Sequence, residues 1–211
     1  LKSFLKDINI LAYPNLELDE LGRPIQFEWT KCKLETVSFG HGITTTPLQA
    51  TAVYAALANG GTTVKPNLVK NNQIKKHDRL ISEKTSERIN NILRKVVTEN
   101  EGTASQADIH GYYVGGKTGT SQNYQDEKQN LNTFISVFPS QKPKYALLVM
   151  LENPQIARDL IYDYKGVKIK GTRNEAGWNS VYVAGKIIEK IGPILAINND
   201  LIANNAFKKD N

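Results

Sequence analysis

The chain has 211 residues, 40% of them hydrophobic and 23% charged, with a formal net charge of +6 from 27 Lys+Arg against 21 Asp+Glu. That size and balance predict one folded domain with a real core, and the positive surplus, spread without a basic block, argues for a solvated surface rather than nucleic-acid binding. The lone cysteine, Cys32, excludes an internal disulfide; no apolar run reaches bilayer-spanning length, no secretory leader is visible, and Leu at residue 1 reads as a cut-out, a processed product or a fragment.

Residues 1–9 read as the end of a short amphipathic helix, and residues 10–35 as a turn-rich excursion carrying Pro14, Gly22 and Pro24. Ser38-Phe39-Gly40-His41-Gly42 follows as a tight glycine-bearing turn. The best-marked helix comes next. Thr46 suits the N-cap, Pro47 the first helical position and Gln49 the third, which together make a capping box with a preorganised first turn. Leu48, Ala52, Ala55 and Ala56 share one face, and Asn59-Gly60-Gly61 ends the helix. Residues 82–97 predict a second helix, capped by Ser82, with an apolar stripe of Ile89, Ile92, Leu93 and Val96.

The hydrophobic period then changes. Residues 112–114, 132–138 and 145–151 are short β-branched or aromatic runs, and predict adjacent antiparallel strands with a hairpin turn over residues 139–143. Residues 152–176 read as irregular and polar, residues 181–191 as a last amphipathic helix, and residues 198–211 as a polar, fraying tail. The expected class is α+β, with helices packed on a mostly antiparallel sheet and residues 1–197 in one domain.

The segment that carries chemistry is Gly116-Lys117-Thr118-Gly119-Thr120. On a strand beside a cleft, the Lys117 ammonium supplies positive potential near a nucleophile and a substrate carboxylate. The Thr118 and Thr120 hydroxyls can hydrogen-bond that carboxylate, Gly119 lets substrate backbone approach, and a backbone N–H can serve an oxyanion hole. Lys-Thr-Gly accompanies Ser-x-x-Lys in penicillin-binding proteins and serine β-lactamases.

Three other matches carry little weight. Residues 111–118 fit the Walker A pattern, but residues 105–110 make a poor buried strand and residues 119–123 poor helix openers. Ser3-Phe4-Leu5-Lys6 is the sequence's single Ser-x-x-Lys, and nine serines predict about one by chance. Ser121-Gln122-Asn123 matches Ser-x-Asn but abuts the Lys-Thr-Gly strand, so it cannot furnish the opposite wall of a cleft.

The surroundings lift the Lys-Thr-Gly above coincidence. Residues 36–43, Thr46-Pro47-Leu48-Gln49, residues 54–61 and Val64-Lys65-Pro66 resemble the block that precedes the Lys-Thr-Gly strand in class B penicillin-binding proteins. Gly102-Thr103-Ala104 and residues 116–121 follow in that family's order. Ala176-Gly177-Trp178-Asn179, leading into residues 184–188, resembles the closing helix of the septal, FtsI-type branch. The resemblance spans about residues 30–195.

This resemblance implies a D,D-transpeptidase that crosslinks peptidoglycan stem peptides and is trapped by β-lactams, at the periplasmic face of a bacterial inner membrane. It implies no cofactor and no metal. Lys117, Thr118 and Thr120 would be the catalytic-strand residues, with Gly116, Gly119 and Thr120 against substrate and the Thr120 N–H in the oxyanion hole. Lys117, Thr118 and Thr120 would face one groove with Gly119 at its floor. The family's nucleophilic Ser-x-x-Lys and its Ser-x-Asn lie upstream of residue 36 and have no credible counterpart here, so the chain would be the C-terminal part of the domain. Its partners would be the remaining half of the domain, stem peptide or β-lactam, and cell-division proteins. A non-catalytic remnant fits the same residues equally well. A β-lactamase relative and a P-loop nucleotide binder fit them less well.

Overall fold

A computed structural model describes residues 1–12, 16–18, 21, 28–69, 78–123 and 126–207. Pro14, Gly22 and Pro24 lie outside the described residues. Helix α1 covers Lys2–Asp7, α2 Lys33–Ser38, α3 Pro47–Ala58 and α4 Glu83–Thr98. Strands β1 (Gly115–Asn123), β2 (Asp126–Phe138) and β3 (Tyr145–Glu152) form an antiparallel sheet in that order. A two-stranded ribbon, β4 (Ile161–Tyr164) and β5 (Val167–Lys170), precedes the closing helix α5 (Ser180–Phe207). Helices on an antiparallel sheet make the expected α+β class.

The caps act as the sequence implies. The Thr46 hydroxyl accepts from the Gln49 backbone N–H at 3.2 Å, and the Thr46 N–H donates to the Gln49 side chain at 3.2 Å. The same Gln49 amide donates to the carbonyls of Asn9 and Ala12, tying the chain after α1 to the start of α3. Ser82 caps α4 by accepting from the Thr85 N–H at 3.1 Å. Capping groups of this kind stabilise a helix by about 1 kcal/mol each.

Several elements depart from the sequence-based expectation, among them β2, which starts at Asp126 and not at residue 132. The first strand begins at Gly115, not residue 112, because Gly111 and Tyr113 take φ of +85° and +50° and interrupt extended backbone. Residues 33–38 form α2 inside the expected excursion and turn, burying Val37. Residues 152–176, expected to be irregular, contain the ribbon β4–β5. Its turn, with Lys165 and Gly166 both at positive φ, has the chirality that matches strand twist. The closing helix runs past residue 191, through Pro193, to Phe207, so it includes most of the expected tail.

Among the described residues, two clusters of buried side chains flank the sheet. Phe134, Phe138 and Val149 of the sheet meet Val181, Ala184 and Ile188 of α5, together with Val97 and Val114. Phe134 and Ile188 are completely buried, and each contributes on the order of 2–3 kcal/mol by leaving water. On the other side, Val137 packs against Ala58 of α3 and Leu93 of α4. The sheet is thus covered by α5 on one face and by α3 and α4 on the other.

Candidate active site

The Lys-Thr-Gly segment lies wholly on β1, an outer strand of the three-stranded sheet. Thr118 pairs with Phe134, Gly119 with Thr133 and Thr120 with Asn132. One edge of β1 is therefore hydrogen-bonded, and among the described residues its other edge has no strand partner. No helix opens at Lys117, which removes the P-loop reading.

The start of β1 is clamped from α4. The Arg94 guanidinium donates to the Val114 carbonyl at 2.7 Å and to the Asp108 carboxylate at 2.8 Å, and lies 6.0 Å from the Tyr113 ring. Ser140, beyond β2, donates its N–H to the Tyr113 carbonyl at 2.8 Å.

Side chains alternate along a strand, and here the alternation divides the expected groove. Thr118 and Thr120 leave β1 on the α5 face. The Thr118 hydroxyl is 2.8 Å from that of Thr103, and the Thr120 hydroxyl accepts from the Ala176 N–H at 3.3 Å. Gly116 shares their face. A Cβ there would come within 2.6 Å of both the Ile135 carbonyl and the Phe134 ring, so its glycine answers to packing. Lys117 and Gly119 leave on the other face. Lys117 is exposed and its ammonium donates to the Thr118 carbonyl at 2.6 Å; the space a Cβ would take at Gly119 lies 2.6 Å from the Thr133 hydroxyl. Hence Lys117 lies on the opposite face of β1 from the two threonines, and its ammonium turns back to the Thr118 carbonyl.

The dismissed Ser-x-x-Lys and Ser-x-Asn matches gain no support from the structure. The Ser3 hydroxyl donates to Asp7 at 3.3 Å, one turn along exposed α1. Ser121 continues β1 itself.

Two neighbours of the strand carried no role in the sequence reading. Thr103, in the turn between α4 and a 3-10 turn at Ser105–Ala107, reaches Thr118. The 3-10 turn Ala176–Trp178 touches Thr120 through the Ala176 N–H. It is braced there by Asn132, whose amide donates to the Asn174 carbonyl at 2.5 Å, and by Gln106, whose amide donates to the Gly177 carbonyl at 2.9 Å. Both lie in segments, Gly102-Thr103-Ala104 and Ala176-Gly177-Trp178-Asn179, that the family resemblance marks; only the fold shows that they converge on β1. Behind them Trp178 stacks on Tyr164 and meets Tyr162 edge-on. A cavity of about 670 Å³ between the end of α1 and α3, lined by Asp7, Leu48, Val53, Val64 and Leu80 among others, contains no residue of β1.

The family described as penicillin binding protein transpeptidase domain matches residues 2–172. This chain belongs to that family. It is similar to the probable peptidoglycan D,D-transpeptidase FtsI of Caulobacter vibrioides, with 28% identity over 212 residues covering 93% of this chain and 34% of that protein. It is also similar to stage V sporulation protein D of Bacillus subtilis, with 32% identity over 171 residues covering 72% of this chain and 26% of that protein. The fold resembles that of penicillin-binding protein 3 of Mycobacterium tuberculosis in complex with aztreonam. The TM-score is 0.70 at 21% identity, covering 90% of this chain and 46% of that one. The chain thus spans about a third or less of the length of these curated relatives.

Proposed function

We propose that this chain supplies the Lys-Thr-Gly wall of a peptidoglycan D,D-transpeptidase of the septal type. The observation that carries the reading is the position of Lys117, Thr118 and Thr120 on β1, a strand with no strand partner at one edge among the described residues. An edge strand can receive an extended peptide as a further strand, so that main-chain hydrogen bonds hold it in register. The Thr118 and Thr120 hydroxyls then bind the terminal carboxylate of an acyl-D-Ala-D-Ala donor, and the Lys117 ammonium biases the site toward anions. The Thr120 N–H takes the oxyanion.

In the reaction, a serine oxygen from outside this segment attacks the penultimate carbonyl. The C–N bond breaks, D-alanine leaves with the serine's proton on its nitrogen, and an acceptor amine later displaces the serine. A β-lactam follows the same first half-reaction but keeps its leaving group tethered. Ser3 is a poor nucleophile on this reading, because its hydroxyl is engaged by a carboxylate and not activated by a lysine. The relatives' names support peptidoglycan synthesis, with division or sporulation as the setting. No helix among the described residues is long and apolar enough to cross a membrane, and the periplasmic placement rests on the family alone.

The test is a titration of the isotope-labelled protein with N-acetyl-D-Ala-D-Ala, followed by NMR. Shift changes should concentrate on residues 117–121 and on Ala176. Changes confined to the cavity beside α3, or none at saturating peptide, would overturn the assignment.

A further inference from the structure

Among the described residues the Thr118 and Thr120 hydroxyls each have one partner behind them, and the partners differ in kind. Behind Thr120 stands the Ala176 N–H, which can only donate. It occupies a lone pair of the Thr120 oxygen and leaves the Thr120 proton free for something in front. Behind Thr118 stands the hydroxyl of Thr103, at 2.8 Å, which can donate or accept. Among the described residues no other side chain hydrogen-bonds to the Thr118 hydroxyl.

We propose that Thr103 is a positioning residue that makes this strand selective for an anionic terminus, by donating its proton to Thr118 so that Thr118 donates outward. The inference rests on the transpeptidase reading of β1. A carboxylate accepts hydrogen bonds and cannot give one. When Thr118 directs its single proton at a carboxylate, the 2.8 Å contact survives only with Thr103 as donor. The relay then runs Thr103 to Thr118 to carboxylate, and each bond polarises the next. Thr120, fed by Ala176, does the same beside it. Two outward-pointing protons fit a carboxylate and give no matching site for the N–H₂ donor of a carboxamide.

Thr103 is built to hold this position. The next residue, Ala104, is fully buried and donates its N–H to the Val96 carbonyl at 3.1 Å, which fixes the chain as it leaves α4. On the other side the Thr103 carbonyl lies 2.6 Å from the space a Cβ would take at Gly177, so glycine there lets the two segments close. The backbone is held from both sides while the side chain remains exposed. A change at the hydroxyl therefore leaves the packing alone.

The experiment compares Thr103→Val, Thr103→Ser and Thr118→Val in the protein as the cell makes it. Affinities for N-acetyl-D-Ala-D-Ala and for its C-terminal amide are read by NMR titration, and each variant's melting temperature is recorded. Thr103→Val should weaken the carboxylate ligand about three- to tenfold, as expected for one lost hydrogen bond. It should leave the amide within about twofold and the melting temperature within about 3 °C. Thr103→Ser should restore the carboxylate affinity. Equal losses for both ligands, or no loss for the carboxylate, would overturn the relay. If Thr118→Val also leaves the carboxylate affinity unchanged, the reading of β1 as the carboxylate wall fails, and the relay with it.

Discussion

Arg94 in α4 hydrogen-bonds the carbonyl of Val114 at 2.7 Å, one residue before β1 begins. The half-buried guanidinium also grips Asp108 at 2.8 Å, so a single side chain fixes where the strand starts relative to the helix. Arg94→Ala should cost about 1–3 kcal/mol, since it strands a buried carbonyl. Arg94→Lys should recover only part of this, because an ammonium lacks the planar fork that reaches both acceptors. Asp108→Asn should cost under about 1 kcal/mol, as its carboxylate is largely exposed. Urea denaturation of the three variants checks the order.

Gly116 and Gly119 lie three residues apart on one strand and should respond differently to alanine. At Gly116 the new methyl would meet backbone and a buried ring, neither of which can step aside. Gly116→Ala should destabilise by about 1–3 kcal/mol. At Gly119 the obstacle is the Thr133 hydroxyl, which a rotamer change can remove. Gly119→Ala should keep its stability within about 1 kcal/mol of the parent, yet weaken peptide binding at the strand edge. Paired melting and titration curves separate the two effects.

The helices were readable because their signals are local. Thr46 with Gln49, and Ser82 ahead of Ile89, Ile92, Leu93 and Val96, declare start and face within a few residues. Strands β2 and β3 were readable from period and β-branching, whereas the aromatic run at residues 112–114 lies just before β1, which starts at Gly115. The ribbon was not, because Ile161 to Tyr164 and Val167 to Lys170 are only four residues each and mix tyrosines with charge. Nor was the division of Lys117 from Thr118 and Thr120. Alternation dictates it once the segment is a strand, but which contacts each face finds depends on Thr103 and Ala176, 15 and 56 residues away from their partners. The Ser-x-x-Lys at residue 3 shows the opposite limit, where spacing alone matches a motif that the structure gives to a surface Ser–Asp contact.

Trp178 joins the ribbon to the turn whose Ala176 N–H reaches Thr120. It stacks on Tyr164 with centroids 5.7 Å apart, meets Tyr162 at 5.4 Å and lies under the Arg173 guanidinium at 5.7 Å. Trp178→Ala should cost about 2–4 kcal/mol. Hydrogen exchange should accelerate first over residues 161–170, ahead of β1 to β3. Uniform acceleration across the sheet would show that the ribbon is not a separate unit.

Burial, helped by the neighbouring Tyr182, holds the Tyr162 phenol above its ordinary value of 10.0. A raised value in the folded state means that the neutral phenol is favoured there. Its contribution is complete below about pH 10 and is lost as the pH rises above that through the folded-state value. Tyr162→Phe should therefore make stability fall less steeply with pH above 10 while changing little at neutrality. Denaturation midpoints measured from neutral to alkaline pH read this directly.

The most direct measurement of the central claim is covalent labelling of the protein, as the cell makes it, with a fluorescent penicillin, followed by denaturation and gel analysis. The account predicts retained label in the parent and in Ser3→Ala. It predicts label reduced at least about tenfold in a Lys117→Ala, Thr118→Val, Thr120→Val triple variant that still folds, since several charge-assisted contacts are lost together. Full labelling of the triple variant, loss of label in Ser3→Ala, or no label in the parent would contradict it.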